Sequence, residues 1–546
     1  MLYFKKIIDY TLKYGIKMTI KRIFAKFHEM LNNSNYKVNK LVWKNNVCIL
    51  TPPHCDYIAK LIYSELEIIG CNVSVYNKLP LRYNNNEYVY IIIAPQYFMS
   101  LPKNRIVIQM EQCINDRWFT DKYISVLSES CAIFDYSVEN IKYMQEKGIQ
   151  LKQLYYLPIG YKKKEINGID KEYDVLFYGD INIRRSKILN ELSKEFNIKI
   201  IRNCFGENLY KEINKAKIVI NLHYYENAML ETTRLYEVLS LNSCIIISEK
   251  TFNLSEYDNL KNIIDFVNVG NVKELSSRIR FWLSDDKMRN DKIIEIKNYF
   301  DNNISLFSFY FNRFLLAKDI ITYEEFYERF SNCFSIDERI ICLSLSETVS
   351  RRQSFEASAP FLYNIFPGLR HDIGWIGCGL SYKFILSRAA DMNKKYITIC
   401  EDDVGFSSDF EKRYSKIIEY LNKNDVWDVF SGLMADASSL KVKSVEHVDD
   451  IDILHVDKMM SMVFNIYNNT IFDIMKKWNH VNIDPENNTI DKYLQKQTNL
   501  NVIVTDPFLV YHKDDLNSTL WGFNNSMYNP MINQASAQIK KLKENN

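Results

Sequence analysis

From residue 46 onward, short apolar runs rich in β-branched residues alternate with longer stretches whose apolar positions recur every three or four residues. VCIL (47–50), NVSVY (72–76), YVYIIIAP (88–95), RIVIQM (105–110), AIFDYS (132–137) and LYYLP (154–158) form a first series of predicted strands. Runs this short and this apolar suit strands covered on both faces. Between the first two, DYIAKLIYSELEIIG has helical periodicity and ends at Gly70, a predicted C-cap. A second series follows: DVLFYGD (174–180), IKII (198–201), KIVINLHY (217–224) and CIIISE (244–249). The alternation predicts an α/β chain with two doubly wound parallel sheets, joined near Leu157-Pro158-Ile159-Gly160 with a cleft between them. The pattern restarts after Ser335. There 338–358 reads as a strand, a polar loop carrying Arg351-Arg352 and a helix; 376–395 reads as helical, and YITIC opens a further strand at 396.

The 546 residues accommodate two or three folding units. An apolar share of 47% with 25% charged residues excludes a disordered scaffold. A net charge of +2 argues against a nucleic-acid partner. The eleven cysteines form no CxxC pair, so neither a zinc knuckle nor a disulfide framework is expected, and a reducing cytoplasm fits. No apolar run reaches the roughly 18 residues of a membrane-spanning helix. Residues 1–45 form a basic amphipathic segment in which Leu2, Ile7, Ile8, Leu12 and Ile16 alternate with Lys5, Lys6, Lys13 and Lys17. It reads either as a surface-lying helix attracted to anionic lipid or as a helix packed on the first domain. The expected location is cytoplasmic, with peripheral contact at the inner face of the cytoplasmic membrane.

Candidate chemistry in the first part concentrates in NLHYYENAMLETTRLYEVLSLNSCIIISE (221–249). A helix from about Leu230 to Leu241, stopped by Asn242, carries Glu231, Arg234 and Glu237 three residues apart. Glu suits sugar or ribose hydroxyls, and a helix amino terminus at the carboxyl edge of a parallel sheet favours phosphate. Arg184 and Arg185, after the strand 174–180, would offset diphosphate charge. The alternative is a paired or solvated helix face. His54, after the first strand, is a candidate acceptor-side base or a structural histidine, and Glu111 is a weaker candidate of the same kind.

This stretch resembles the donor-binding half of GT-B glycosyltransferases of the group 1 type, where two Glu stand eight positions apart before a small-residue turn. Glu237 and the turn after it match, with Asn242 in place of the usual Gly. The first Glu falls at Met229, leaving Glu231 or Glu226 as substitutes. The resemblance, over roughly 46–325, implies a GT-B amino-terminal, acceptor-side domain at 46–158 and a donor-binding domain at 159–330. It also implies a crossing-back helix within 296–321 and no metal in this half.

The strongest chemical signal is YITICEDDVGFSSDF (396–410), a core strand running into Glu401, Asp402 and Asp403. Adjoining acids at a strand end repel one another unless a cation bridges them, and Mg²⁺ or Mn²⁺ held against a diphosphate meets that need. An exposed acidic turn is the plain alternative. With Arg351-Arg352, Gly377-Cys378 and Ser381, WDVFSG (427–432), IDKYL (490–494) and DPFLVYHKDDLNSTL (506–520), these acids resemble glycosyltransferase family 25. That family includes lipooligosaccharide and collagen galactosyltransferases; Tyr382 stands where it usually has His. The resemblance implies a GT-A-like domain at 335–546, a UDP-sugar donor and inverting transfer. It implies Mn²⁺ or Mg²⁺ on Glu401, Asp403 and His512, Asp491 as general base, and Arg351, Arg352, Glu401 and Asp402 at the donor. The expected protein is a bifunctional glycosyltransferase adding sugars to a growing surface glycan or glycolipid. The alternative is one active family 25-like enzyme on a non-catalytic GT-B-like platform.

Overall fold

The computed structural model describes residues 40–545 apart from 79–83, 115–117, 165–169, 498–499 and 521. The basic segment expected over 1–45 lies, as far as residue 39, outside the described residues. The chain divides into two compact units, one ending at Asn312 and the other running on from Arg313.

The first unit holds two wholly parallel sheets. The strands of the first are β1 (Asn46–Leu50), β2 (Asn72–Tyr76), β3 (Tyr88–Ile93), β4 (Arg105–Gln109), β5 (Ala132–Asp135) and β6 (Leu154–Tyr156), ordered β2-β1-β3-β4-β5-β6. The second has β7 (Tyr173–Tyr178), β8 (Ile198–Ile201), β9 (Ala216–Asn221), β10 (Ile245–Glu249) and β11 (Asp265–Val267), ordered β11-β10-β9-β7-β8. Every strand expected here is present, and β11 is an unforeseen addition. Both sheets reverse direction of build, at β1/β3 and at β7/β9. Crevices that take ligands open at such switch points, beyond the carboxyl ends of the strands.

The two halves meet through polar contacts. Tyr57, on the helix Asp56–Ile68 behind β1, donates to the Gly160 carbonyl at 2.7 Å and lies 2.6 Å from Ser240 Oγ, just past the helix Thr232–Leu239. Gln112 grips the Met229 backbone from both sides, donating to its carbonyl at 3.1 Å and accepting its N–H at 3.0 Å. The expected crossing-back helix over 296–321 is in fact two helices, Asp286–Asp301 and Leu306–Ala317. The break falls at Asn302-Asn303, residues whose side chains favour helix ends; each amide bonds a carbonyl four residues back, on Asn298 and Tyr299. The returning helix packs on the first half: the Phe311 ring lies 5.9 Å from that of Phe134 of β5, and Ser308 and Asn312 donate to the buried Glu65 carboxylate of the helix Asp56–Ile68.

The unit boundary after Asn312 precedes the expected one at 330 because Arg313 belongs to the second core. Its guanidinium is bidentate on Glu347 at 2.8 and 3.0 Å and donates to the Gly368 carbonyl at 2.7 Å. Both side chains are at most 1% exposed, and parting such a pair costs about 3–5 kcal/mol.

The second unit is built on a mixed sheet. Its strands are β12 (Ile340–Ser344), β13 (Tyr363–Pro367), β14 (Tyr396–Glu401), β16 (Val429–Ser431), β17 (Val442–Val448), β18 (Ile451–Val456), β19 (Phe464–Asn468) and β20 (Val502–Asp506). They are ordered β13-β12-β14-β19-β16-β20-β18-β17. β15 (Val404–Phe406) and β21 (Val510–His512) form a separate antiparallel ribbon. The long helix Gly374–Asp391 lies close to Trp478: a Cβ on Gly379 would stand 2.6 Å from Trp478 Cζ2. Among the described residues no helix is long and apolar enough to cross a membrane.

Candidate active sites

In the first unit, the loops after β1 and β3 flank the first switch point. His54 sits there, exposed, with its ring 4.9 Å from Tyr97 and 6.2 Å from Phe205 of the second sheet's half. Partial desolvation of its imidazole by the surrounding side chains lowers its pKa, against the opposing pull of the Asp180 charge. Glu111, after β4, accepts from the Gln96 amide.

At the second switch point, the cations expected to meet a diphosphate are already engaged by the protein. Arg184 donates to the His223 carbonyl at 2.8 Å and to Glu249. Arg185, 3% exposed, binds the Leu222 carbonyl at 2.6 and 3.0 Å, the Asp180 carbonyl at 2.8 Å and Glu231 at 2.8 Å. Arg234 binds Asn221 at 2.7 Å and the other oxygen of Glu231. Glu231 therefore sits between two guanidiniums. Burial works to raise its pKa, but Arg234 and Arg185 prevail and hold it below the usual carboxylate range. The helix starts at Thr232, so Glu231 is its N-cap residue rather than part of its face. Gly179, at φ +126°, lets the loop after β7 pass this network: a Cβ there would stand 2.8 Å from Arg234 Nη2.

Met229 is fully buried, with Ser137 Oγ donating to its sulfur at 3.2 Å, and Glu226 is exposed. Glu231, held between two guanidiniums, supplies no second free carboxylate, and Glu226 lies out in solvent. Glu237 remains: it accepts from Tyr178 Oη at 3.1 Å, and burial pushes its carboxyl up to about 7.

In the second unit, β14 delivers the acid trio. Glu401 ends the strand, Asp402 and Asp403 form the turn, and β15 returns to pair with β21. That pairing sets Val404 opposite His512, and the Lys513 N–H bonds the Asp403 carbonyl at 2.8 Å. His512 Nε2 consequently lies 3.1 Å from Asp403 Oδ2.

The three neighbouring acids occupy three environments. Glu401 Oε1 accepts from the Cys378 thiol at 3.7 Å; burial first, then the Asp403 charge, pushes its carboxyl up to about 8. Asp402 is locked from both sides, by Ser344 Oγ at 2.8 Å and by Arg351 Nε at 2.9 Å and Nη2 at 2.6 Å. Asp403 Oδ2 meets Arg351 Nη2 at 2.8 Å and accepts from Asn525 Nδ2 at 3.0 Å. Burial works to raise the Asp403 pKa, but Arg351 and His512 outweigh it and keep the carboxyl well below its ordinary value. Its Oδ1 is buried with no hydrogen-bond partner, as is His512 Nδ1.

Asp491 stands in the first turn of the helix Ile490–Gln495; burial first, then the charges of Glu401 and Asp491, push up the pKa of the Cys378 thiol. Tyr382, by contrast, is a core residue whose hydroxyl donates to the Met462 carbonyl at 2.8 Å.

Several expectations need correction. Among the described residues no group of three or more His, Cys, Asp or Glu side chains is arranged to hold a metal by itself. The set Glu401, Asp403 and His512 is not closed, because Glu401 faces Cys378 and Arg351 bridges Asp402 and Asp403. A divalent ion nevertheless suits Asp403, a buried, ionised carboxylate with an unpartnered oxygen. Mg²⁺-type sites commonly take only one or two carboxylates and complete their shell with substrate phosphate and water. Asp402 serves Arg351 and Ser344 rather than a ligand. Arg351 and Arg352 lie inside the helix Val349–Glu356 rather than in a loop before it, and Arg352 Nε is buried without a partner. Ser344, Asn517 and Asn525 were missed. Ser344 alone had a signal, since it ends the strand paired in parallel with β14.

The family model for glycosyltransferase family 25, described as an LPS biosynthesis protein, matches residues 367–498. Three uncharacterised proteins of Acanthamoeba polyphaga mimivirus are similar over parts of the chain. One is 26% identical over 167 residues (29% of this chain, 18% of that protein), a second 29% over 175 residues (28% and 55%), a third 31% over 127 residues (23% and 43%). The chain thus spans about a fifth to a half of these relatives. Among solved structures, it is similar to sucrose-phosphate synthase from Thermosynechococcus elongatus (TM-score 0.34, 9% identity, 47% of this chain and 94% of that one). It is likewise similar to WaaG, a glycosyltransferase involved in lipopolysaccharide biosynthesis (0.34, 10%, 48% and 96%). The matched segment 367–498 begins at the end of β13 and contains Cys378, the acid trio and Asp491.

Proposed function

We propose that the second unit transfers a sugar from a nucleotide-sugar donor, UDP-linked, to a hydroxyl of a surface glycan or glycolipid of the lipooligosaccharide kind. The observation that carries this reading is Asp403: ionised, buried, and unpartnered at Oδ1, inside a family 25 segment. Asp491 takes the proton of the acceptor hydroxyl as its oxygen bonds to the anomeric carbon. The bond from that carbon to the diphosphate breaks, and the nucleoside diphosphate leaves with the electron pair. Asp403, with His512 beside it, would hold Mn²⁺ or Mg²⁺, which when bound neutralises charge on the departing diphosphate.

For the first unit the reading is a second transferase, with Glu237 at the donor and His54 toward the acceptor. One observation favours a different role there, a non-catalytic binding platform: Arg184, Arg185 and Arg234 are each already bound to protein acceptors. Tethering two transferases would raise the local concentration of the first product for the second. The basic segment at 1–45 would hold the chain at anionic lipid on the inner membrane face, in the cytoplasm.

A panel of nucleotide sugars, offered to the full chain with and without Mn²⁺, tests this. Glu237→Ala is expected to remove one sugar addition and Asp403→Ala the other, with metal dependence confined to the second. If Asp403→Ala leaves every transfer intact, the assignment of the family 25 site fails. If both variants abolish the same single transfer, the two-enzyme reading fails and the platform stands.

A further inference from the structure

Arg351 occupies an unusual position for a residue expected to greet a diphosphate. Its side chain is 12% exposed, and its fork is spent on the acid turn: Nε and Nη2 on Asp402, Nη2 again on Asp403 at 2.8 Å, and Nη1 on the Asn517 carbonyl at 2.6 Å. A fixed positive charge therefore sits on the carboxylate best suited to a divalent ion. A cation taken up at the unpartnered Oδ1 would share the Asp403 carboxylate with the guanidinium that holds Oδ2. Like charges so placed in a buried setting are screened little. A donor diphosphate offers Arg351 an alternative partner, since paired phosphate oxygens match a guanidinium fork as well as carboxylates do.

We propose that Arg351 is a gate on Asp403: it holds the carboxylate while the donor is absent and moves to the diphosphate when the donor arrives, so that nucleotide and divalent ion bind together. The inference rests on the metal-assisted reading of the second unit. It adds an order of events: the ion binds weakly alone, and each ligand tightens the other by the same factor, as linkage requires.

The test is direct Mn²⁺ binding to the full chain, read from the electron paramagnetic resonance signal of free Mn²⁺, with and without UDP. Asp403→Asn serves as background for Mn²⁺ held by UDP itself. In the unsubstituted chain UDP is expected to tighten Mn²⁺ at least about tenfold. Arg351→Gln is expected to bind Mn²⁺ about tenfold more tightly than the unsubstituted chain without UDP, and to gain little more from UDP. Arg351→Lys keeps a positive charge near Asp403 and is expected to bind Mn²⁺ without UDP as weakly as the unsubstituted chain. Equal or weaker Mn²⁺ binding by Arg351→Gln overturns the gate, as does tight binding by Arg351→Lys, while leaving the metal reading in place. Absence of Mn²⁺ binding above the Asp403→Asn background, with or without UDP, overturns both.

Discussion

Replacing Asp403 by Asn removes one negative charge and leaves the shape nearly unchanged. In the structure Oδ2 is contacted by Arg351 at 2.8 Å, Asn525 at 3.0 Å and His512 at 3.1 Å. Truncating a buried ion pair costs about 3–5 kcal/mol, but two features reduce that figure here. Arg351 keeps both of its bonds to Asp402, so it is not stranded. Loss of the Asp403 charge also relieves Glu401, whose carboxyl is pushed up by burial and then by Asp403. What remains is the loss of charge-assisted hydrogen bonds, about 1.5–3 kcal/mol. The pH dependence has a definite sign. The folded pKa of Asp403 is depressed, so its contribution is present above the unfolded carboxyl value of about 3.9 and is lost as pH falls below it. Urea denaturation followed by tryptophan fluorescence at pH 7, 5 and 3.5 should show the variant less stable by that amount at pH 7. The gap should narrow toward pH 3.5. Equal stability at pH 7, or a gap that ignores pH, would refute the assignment of Asp403 as an ionised carboxylate with a depressed pKa.

Glu237→Gln addresses the opposite case. The Glu237 carboxyl is raised to about 7, so its contribution is present below about pH 4.3 and is lost as pH rises through 7, by up to about 3 kcal/mol. The variant should therefore lose less stability than the unsubstituted chain between pH 5 and 8, and matching pH profiles would count against a buried Glu237. Gly379→Ala places a methyl 2.6 Å from Trp478 Cζ2, and Trp478 is fully buried; overpacking of about 1–3 kcal/mol should exceed the roughly 1 kcal/mol gain in helix propensity. A lowered denaturation midpoint is the expected reading, and a raised one would show that Trp478 yields. Asp491→Asn should lower turnover about 10²–10⁴-fold while leaving UDP affinity unchanged in calorimetry; undiminished turnover would remove Asp491 as the base.

What could be read in the chain and what could not follow from the range of the forces involved. The ten strands expected of the first unit are all present because each is a contiguous run rich in apolar and β-branched residues, a local signal that holds for the buried central strands and for the exposed edge strands β2 and β8 alike. Gly70 and Asn242 adopt positive φ where helix stops were expected, for equally local reasons. β11 and β13, partly exposed along most of their length, were not foreseen as strands, nor were β15 to β21. The charge networks were illegible: Glu231 meets Arg185 46 positions away and Arg351 meets Asp402 51 positions away. No spacing rule specifies such partners, because sheet pairing brings them together.

The acid trio gives this limit its sharpest form. In the sequence Glu401, Asp402 and Asp403 are three adjoining carboxylates, equally suited to a cation. The end of the strand turns Glu401 toward the Gly374–Asp391 helix and Cys378, and the first turn residue, Asp402, faces Ser344 at the end of the neighbouring strand. The turn into β15 then presents Asp403 to His512 across the ribbon. One backbone path therefore separates three similar groups by proton affinity, raising Glu401 and Asp402 and depressing Asp403. Interacting carboxylates in a buried site shift one another's proton affinity, and the outcome is one carboxylate, Asp403, whose ionised form its partners favour most. That outcome makes the substrate diphosphate, rather than a third protein carboxylate, the group that would complete a cation's shell.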